Sequence, residues 1–215
     1  MDFSLRTILI AAGLSSVALT AADASLRESV ASKVALEFPS LETLYKDLHA
    51  RPELSLMEER TMGLIAGELR KVGFEVTERV GGFGLVGVLK NGPGPTLLVR
   101  TDLDGLPVQE ETGLPYASRH VVKDLAGREV ATMHACGHDI HMTVFTGTAR
   151  VLAALKERWS GTVVFIGQPA EERGIGARAM LADGLYQKFP KPDFAIALHD
   201  MATLPAGTVG TIEGY

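Results

Sequence analysis

The sequence is short of cysteine, of clustered positive charge and of long apolar runs. Cys136 is the only cysteine among 215 residues, which excludes an internal disulfide framework. No block of lysine and arginine occurs and the formal net charge is −5, so nucleic acid is excluded as an expected partner. No repeat, low-complexity tract or linker interrupts the chain. With 46% hydrophobic residues, it can form one sizeable core.

The N-terminus has the order of a secretory signal peptide. Residues 1–6 carry one arginine, residues 7–22 are uncharged and apolar, and Ala22-Asp23-Ala24 is a small-x-small cleavage site. We therefore predict a signal peptide at residues 1–24 and export to the periplasm or the medium; a buried N-terminal helix is the alternative. The apolar run is too short for a membrane span, and none is expected after cleavage. A lone thiol in an exported protein needs another explanation, and metal ligation is one.

Three helices are predicted from apolar spacing. The first covers residues 25–48, with a break at Pro39, and the second covers residues 58–72 and is ended by Gly73. The third lies between residues 100 and 162. The expected inward positions of the three helices are, in order, Val30, Val34, Leu41, Leu44 and Leu48; Met62, Ile65, Ala66, Leu69 and Val72; and Val144, Phe145, Thr148, Val151, Leu152 and Leu155.

Five short apolar runs predict strands. They cover residues 74–77, 84–89, 96–100, 162–166 and 194–198. Continuous apolar character in the last four runs predicts strands that are covered on both faces. Strands that alternate with helices indicate an α/β fold with a mixed, largely parallel sheet between helices.

Polar clusters follow three of the predicted strands directly. Residues 101–107 follow the third run, residues 167–172 follow the fourth, and His199-Asp200 follows the fifth. Ligands of open α/β sheets bind in the crevice beyond the carboxyl ends of the strands. The three clusters are therefore expected to form one site.

The segment from residue 133 to residue 141 carries the strongest signal. Cys136 and His138 are separated by Gly137, whose backbone freedom lets both side chains point at one atom. Thiolate and imidazole favour Zn²⁺, with Mn²⁺, Co²⁺ or Ni²⁺ as alternatives. Taken alone, this spacing also fits a buried cysteine beside structural histidines.

Two pairs of carboxylates complete the candidate site. Glu171 and Glu172 cannot point the same way in regular structure, so one is expected to bind metal while the other serves as general base. Asp102 and Asp104 face the same side of an extended segment. They either contact metal or orient a ligating histidine. Solvated glutamates at a helix start, and a turn-initiating aspartate, are the alternatives without function.

The chain resembles the hippurate hydrolase-like amidohydrolases of peptidase family M20, which include N-acyl-amino-acid deacylases and indole-acetyl-amino-acid hydrolases. The resemblance lies in five stretches that cover nearly all of the chain after residue 24. They are residues 47–55, 100–107, 133–139, 168–180 and 198–208. At the last stretch most relatives have His-Val or a similar pair, whereas this chain has His199-Asp200.

The resemblance implies roles for particular residues. Two divalent metal ions would be held by Cys136, His138, Glu172 and His199, with Cys136 bridging both ions. Glu171 would be the general base and Asp104 would support the site by orienting a ligand. The fold implied is a zinc-exopeptidase-like catalytic domain.

Family members are about twice this long, with a lid domain and a return segment that supplies a further histidine ligand. Residues 25–215 are therefore expected to be the N-terminal part of the catalytic domain, truncated before the lid. Full-length relatives are expected to form homo-oligomers through that lid.

The activity implied is hydrolysis of N-acyl amino acids or similar small amides by a metal-activated water. One alternative is a cysteine hydrolase that uses Cys136 as nucleophile. Another is a catalytically impaired metal-binding fragment of such an enzyme.

Overall fold

The computed structural model describes residues 21–211. The predicted signal peptide therefore lies outside the described residues except for its last four positions. Helices in chain order are α1 (Ala21–His49), α2 (Glu59–Lys71), α3 (His138–Ala154), α4 (Gly176–Ala182) and α5 (Leu185–Lys188), with a 3₁₀ turn at Lys156–Arg158. Strands are β1 (Glu75–Glu78), β2 (Leu85–Asn91), β3 (Thr96–Asp102), β4 (Val121–Lys123), β5 (Glu129–Ala131), β6 (Gly161–Gln168) and β7 (Phe194–Ala197). In this part of the chain, no helix is long and apolar enough to cross a membrane.

The central sheet has five strands in the order β1-β2-β6-β3-β7. Strand β6 pairs parallel with β3, and β3 pairs parallel with β7. Strand β2 is antiparallel to both β1 and β6, so it alone runs against the other four. The sequence prediction of a mixed, largely parallel sheet is confirmed.

Helices cover both faces of this sheet. On one face α1, α2 and α3 bury a core that includes Leu48, Ile65, Leu69 and Phe165. On the other face the short helices α4 and α5 bury a smaller core around Met180 and Leu185. The predicted inward positions of α2 from Met62 to Leu69 are confirmed, because each is at most 2% exposed.

Helix α1 departs from its prediction in two ways. It continues through Pro39 instead of breaking there. The proline removes the N–H partner of the Ala35 carbonyl, but both residues are exposed, so that carbonyl is accessible to water. Val34 was predicted to face inward and is 44% exposed, whereas Leu44 and Leu48 are buried. Only the last turns of α1 reach the core.

The inward face of α3 was predicted correctly only in part: Phe145 and Leu155 are buried as predicted, but Val144 is not. Val144 is 42% exposed, while Met142, Phe145 and Ala149 form the buried face. Apolar residues cover most of the circumference of this helix, so their spacing alone does not identify the buried side.

Strand β7 was predicted to be covered on both faces and is exposed along its whole length. It lies at the edge of the sheet and pairs only with β3 among the described strands. Phe194 is 65% exposed and Ile196 is 56% exposed. The continuous apolar run therefore predicted the strand correctly and its burial wrongly.

A nearly buried ion pair joins the three helices on one face of the sheet. Arg150 of α3 contacts Glu68 of α2 through Nη2, and its Nη1 lies 2.8 Å from Oε2 of Glu37 of α1. The side chains of Arg150 and Glu68 are 14% and 7% exposed. Burial alone would raise the pKa of Glu68, but its hydrogen bonds to Lys71 and Arg150 outweigh burial and lower it.

We expect Arg150→Met to reduce the free energy of unfolding at pH 7 by about 2–3 kcal/mol, because it leaves a buried carboxylate with only exposed Lys71. With its pKa lowered, Glu68 stabilises the native protein above the ordinary glutamate range and loses that effect as pH falls through its folded pKa. In Arg150→Met, burial becomes the dominant influence on the pKa of Glu68, so this pKa is raised instead of lowered. Urea unfolding at pH 7 and pH 4 should therefore show a difference that shrinks in acid. Arg158→Met, at a residue without an ion pair in the described region, is the control.

Candidate metal centre

Three parallel strands bring the predicted site residues together. Strands β3, β6 and β7 all end at the same edge of the sheet, and the polar clusters follow directly at Asp102, Glu171 and His199. Arg100 of β3 joins two of these ends: it donates to Oε1 of Gln168 at 2.9 Å and to Oδ2 of Asp102 at 2.8 Å. The expectation that the three clusters share one site is confirmed.

His138 is at the centre of this site. It is the first residue of α3, and Gly137 precedes it with a φ of 71°. A side chain at position 137 would be strained and would collide with the carboxylate of Asp200. Nδ1 of His138 donates to the backbone carbonyl of Asp104 at 2.6 Å, an assignment that leaves Nε2 as the free donor atom for a metal.

Two overlapping groups of ligand atoms share His138. One comprises Cys136, His138 and His199, and the other comprises His138, Glu171 and Glu172; within each group the atoms lie within 4.8 Å of one another. Sγ of Cys136 is 3.4 Å from Nε2 of His199. All four predicted metal ligands and the predicted base therefore converge, while their roles stay predictions.

The two adjacent glutamates converge, contrary to the expectation for regular structure. Oε2 of Glu171 and Oε1 of Glu172 are each 3.7 Å from Nε2 of His138. They lie in a turn rather than in a helix or strand, and Ala170 before them has a φ of 46°. A non-glycine residue with positive φ is strained, and this strain turns both side chains toward the same point.

Asp104 stabilises this turn through hydrogen bonds to its backbone. Its carboxylate is fully buried and accepts the backbone N–H groups of Glu171 at 3.1 Å and Glu172 at 3.2 Å. It also accepts the hydroxyl of Ser55 at 2.6 Å. Burial would raise the pKa of Asp104, but hydrogen bonds to His138 and Ser55 lower it.

The acidic surroundings determine the charge of His138 itself. Burial would lower its pKa, but hydrogen bonding to Asp104 and the charges of Asp102 and Asp104 raise it to about 9. Burial raises the pKa of the Cys136 thiol to about 11, and the charges of Glu172 and Glu171 add to the effect. The charge contributions to both pKa shifts indicate a negative potential, which also attracts a metal cation.

The residues present fit a divalent metal ion. Nε2 of His138 and Oε1 of Glu172 are buried, face each other at 3.7 Å, and have no hydrogen-bond partner among the described residues. Buried polar atoms without partners are costly. A cation that accepts both lone pairs removes that cost, and the accompanying thiolate and imidazole are typical zinc ligands.

Sequence reasoning missed two residues that position this site. His141, which is 1% exposed, lies 2.8 Å from Oδ1 of Asp102, and its Nε2 accepts the backbone N–H of Asp200 at 3.0 Å. Its ring packs 4.6 Å from that of His199, so it fixes the turn that carries His199. The three-residue spacing from His138 to His141, which places both on one face of a helix, could have identified it.

Glu58, just before α2, is the other missed residue. It is fully buried, and its Oε1 accepts the backbone N–H of the strained Ala170 at 2.7 Å. Glutamates at the start of a helix are usually solvated, so no local sequence pattern distinguished Glu58.

The fold and the set of metal-ligand atoms together are those expected of a metallopeptidase-like catalytic domain. The chain belongs to peptidase family M20/M25/M40, because residues 98–214, just over half of its length, match the sequence model of that family.

Relatives and solved structures agree with this membership. Hippurate hydrolase of Campylobacter jejuni is 40% identical over 161 residues, which are 74% of this chain and 39% of that protein. N-acetyldiaminopimelate deacetylase of Oceanobacillus iheyensis is 39% identical and is matched over 81% of this chain and 44% of its own length. The Bacillus subtilis YXEP protein, a dinuclear metal binding peptidase from the M20 family, superposes with a TM-score of 0.71 at 36% identity, covering 82% of this chain and 46% of its own. The chain spans less than half the length of these relatives.

Proposed function

We propose that the chain belongs to a hydrolase that cleaves the amide bond of N-acyl amino acids or similar small amides with two divalent metal ions. The observation that carries this proposal is the facing pair of unpartnered, buried ligand atoms on His138 and Glu172. The names of the relatives, a hippurate hydrolase and an N-acetyldiaminopimelate deacetylase, support the substrate class.

Four residues would hold the ions: Cys136, His138, Glu172 and His199. Divalent ions bound there would acidify a water molecule and polarise the scissile carbonyl. Sγ of Cys136 is 3.4 Å from Nε2 of His199 and also interacts with Glu172, so Cys136 would supply a thiolate ligand. His138 and Cys136 each give up a proton when they ligate, so protons compete with the metal for this site.

Glu171 is the general base of the proposed reaction. Its side chain is 34% exposed, against 18% for Glu172, so a water molecule and a substrate can reach it. Its carboxylate takes a proton from the water as the oxygen attacks the carbonyl carbon. It then returns that proton to the nitrogen as the C–N bond breaks and the amine leaves.

A cysteine hydrolase is the second candidate, and the 3.4 Å approach of Cys136 Sγ to Nε2 of His199 favours it. Against it, burial and the charges of Glu172 and Glu171 raise the pKa of the thiol to about 11. A nucleophilic cysteine needs a lowered pKa. This candidate also gives no role to the two glutamates.

Metal analysis and chelation separate the two candidates. We expect the purified chain to bind divalent metal and to lose hydrolysis of N-acetyl and N-benzoyl amino acids in EDTA, with recovery on adding Zn²⁺ or Mn²⁺. Activity that persists in EDTA and disappears with iodoacetamide would favour the thiol nucleophile. Metal binding without turnover would favour the catalytically impaired fragment, and absence of metal binding would contradict the proposal.

Cys136→Ser tests the ligand role directly. Since a neutral hydroxyl replaces a thiolate, we expect metal affinity to fall by more than the roughly 10–100-fold that is typical of losing an indirect partner of a ligand. Ala135→Ser adds the same hydroxyl one residue away, at an exposed position, and should bind metal normally. Isothermal titration with Zn²⁺ measures both, and equal affinity in the two variants would rule out Cys136 as a ligand.

Export remains part of the proposal. It rests on residues 1–24 of the sequence, and N-terminal sequencing of the secreted chain would test it by finding Ser25 as the first residue.

A further inference from the structure

A cavity adjoins the metal centre on the side of Glu172. It has a volume of about 440 Å³, within the range of pockets that bind small molecules. Glu172 belongs both to the wall of this cavity and to the ligand group around His138. A substrate whose amide lies at the metal centre therefore extends one of its two sides into the cavity.

A β-hairpin forms one wall of the cavity. Within residues 21–211, strands β4 and β5 pair only with each other and form a separate two-stranded sheet. Val130 of β5 and Leu125 at the turn line the cavity, together with Leu54 and Met57. These four side chains make the interior apolar.

The hairpin is held firmly at its base. Leu106 and Met133 exchange backbone hydrogen bonds of 2.9 Å and 3.0 Å, and the hydroxyl of Thr132 donates to the carbonyl of Pro52 at 3.1 Å. At the turn, the Asp124 carboxylate accepts the Arg128 side chain at 2.8 Å and two backbone N–H groups. The wall is therefore preformed and does not depend on a ligand.

The chemistry of the walls identifies which side of the substrate enters. The amino-acid side of an N-acyl amino acid carries a carboxylate, which would lose hydration in an apolar cavity bordered by Asp124 and Glu172. Of the two arginines in the lining, Arg128 is already paired with Asp124 and Arg173 is exposed to solvent, so neither offers a buried cation to that carboxylate. An acyl chain has no charge and gains by leaving water.

We propose that this hairpin-walled cavity binds the acyl group of the substrate and selects medium-length or aromatic acyl chains over acetyl. The inference rests on the proposed amide hydrolysis at the adjoining metal centre. Val130 and Leu125 are the specificity-determining residues, and the hairpin that carries them is the structural basis of the selection.

A series of N-acyl glycines tests this assignment on the metal-loaded full chain. Each methylene that is fully buried favours binding by roughly fourfold, and the cavity is open on one side. We expect kcat/KM for the octanoyl substrate to exceed that for the acetyl substrate by about 100-fold. In Val130→Phe, which fills the cavity, this ratio should fall at least about tenfold. Leu125 is exposed, so Leu125→Asp should have little effect on folding. It should lower the octanoyl-to-acetyl ratio of kcat/KM by a similar factor.

Val121→Phe is the matched control, because it is the same substitution on the same hairpin at a residue outside the cavity wall. The ratio of kcat/KM for the octanoyl substrate to that for the acetyl substrate should be the same in Val121→Phe as in the unmodified chain. An equal change in Val130→Phe and Val121→Phe, or no change in either, overturns the assignment. A second outcome also overturns the assignment. If Arg173→Met raises KM equally for both substrates, and Val130→Phe leaves the octanoyl-to-acetyl ratio of kcat/KM unaltered, the cavity holds the amino-acid side of the substrate.

Octanoate binding keeps this test separate from the proposed catalysis. If the metal-loaded chain hydrolyses neither substrate, the catalytically impaired fragment is favoured, yet calorimetry of octanoate against acetate still tests the cavity. Tighter octanoate binding that is lost in Val130→Phe and retained in Val121→Phe supports an acyl pocket. Equal affinity for octanoate and acetate in the unmodified chain overturns it.

Discussion

Glu171→Gln is expected to retain its metal and to lower the rate of amide hydrolysis by about 10²–10⁴-fold, the range typical of a general base. Glutamine has the same size and can hold the same hydrogen bonds, but its amide cannot accept the proton of the attacking water. The backbone N–H of residue 171 still donates to Asp104, so the turn itself should not move.

Glu172→Gln provides the contrast. Its Oε1 is buried and faces Nε2 of His138, so loss of the negative charge should weaken metal binding as well as turnover. Metal content by mass spectrometry and single-turnover rates on an N-acyl amino acid measure both effects. If Glu171→Gln loses metal and Glu172→Gln keeps it, the two roles must be exchanged.

Asp104→Asn should lower metal affinity by about 10–100-fold and the free energy of unfolding by about 3 kcal/mol. Asp104 accepts the N–H groups of Glu171 and Glu172 with different oxygens. Asparagine has one acceptor oxygen, so its amide nitrogen must face one of these N–H groups. The turn that aims both glutamates at His138 should then shift.

Asp183→Asn is the control for this prediction. Asp183 also accepts a backbone N–H, that of Gly81 at 2.9 Å, but it lies outside the metal groups. We expect some loss of stability and unchanged Zn²⁺ affinity. Should Asp104→Asn bind Zn²⁺ as tightly as Asp183→Asn, Asp104 would have no part in positioning the ligands.

The fold was predictable where local pattern and burial agree. Helix α2 has an apolar stripe of the correct width, and strands β2 and β6 are continuously apolar because helices cover both of their faces. The hairpin β4–β5 was missed: its strands have three residues each and are largely exposed, so they carry no apolar signal. Burial of β7 could not be predicted either, because an apolar run does not specify what packs against it.

The site residues that lie in the turns directly after strands could be predicted from the sequence. Asp104, Glu172 and His199 are far apart in sequence, yet parallel strands require their turns to meet. The residues that aim the ligands were harder to predict, because Glu58 reaches Ala170 across 112 positions of sequence. Contacts of that range depend on the packing of α2 against the sheet and leave no local pattern.

The position of β6 also determines the order in which the chain folds. This strand lies between β2 and β3 and is separated from both by more than fifty residues of sequence. The sheet therefore cannot close until Gln168 has left the ribosome. Until then, the place of β6 between β2 and β3 is empty, and the apolar side chains of these two strands are available to molecular chaperones. Closure of such non-local pairs is slow, so we expect the metal ligands that precede and follow β6 in the sequence to come together late in folding.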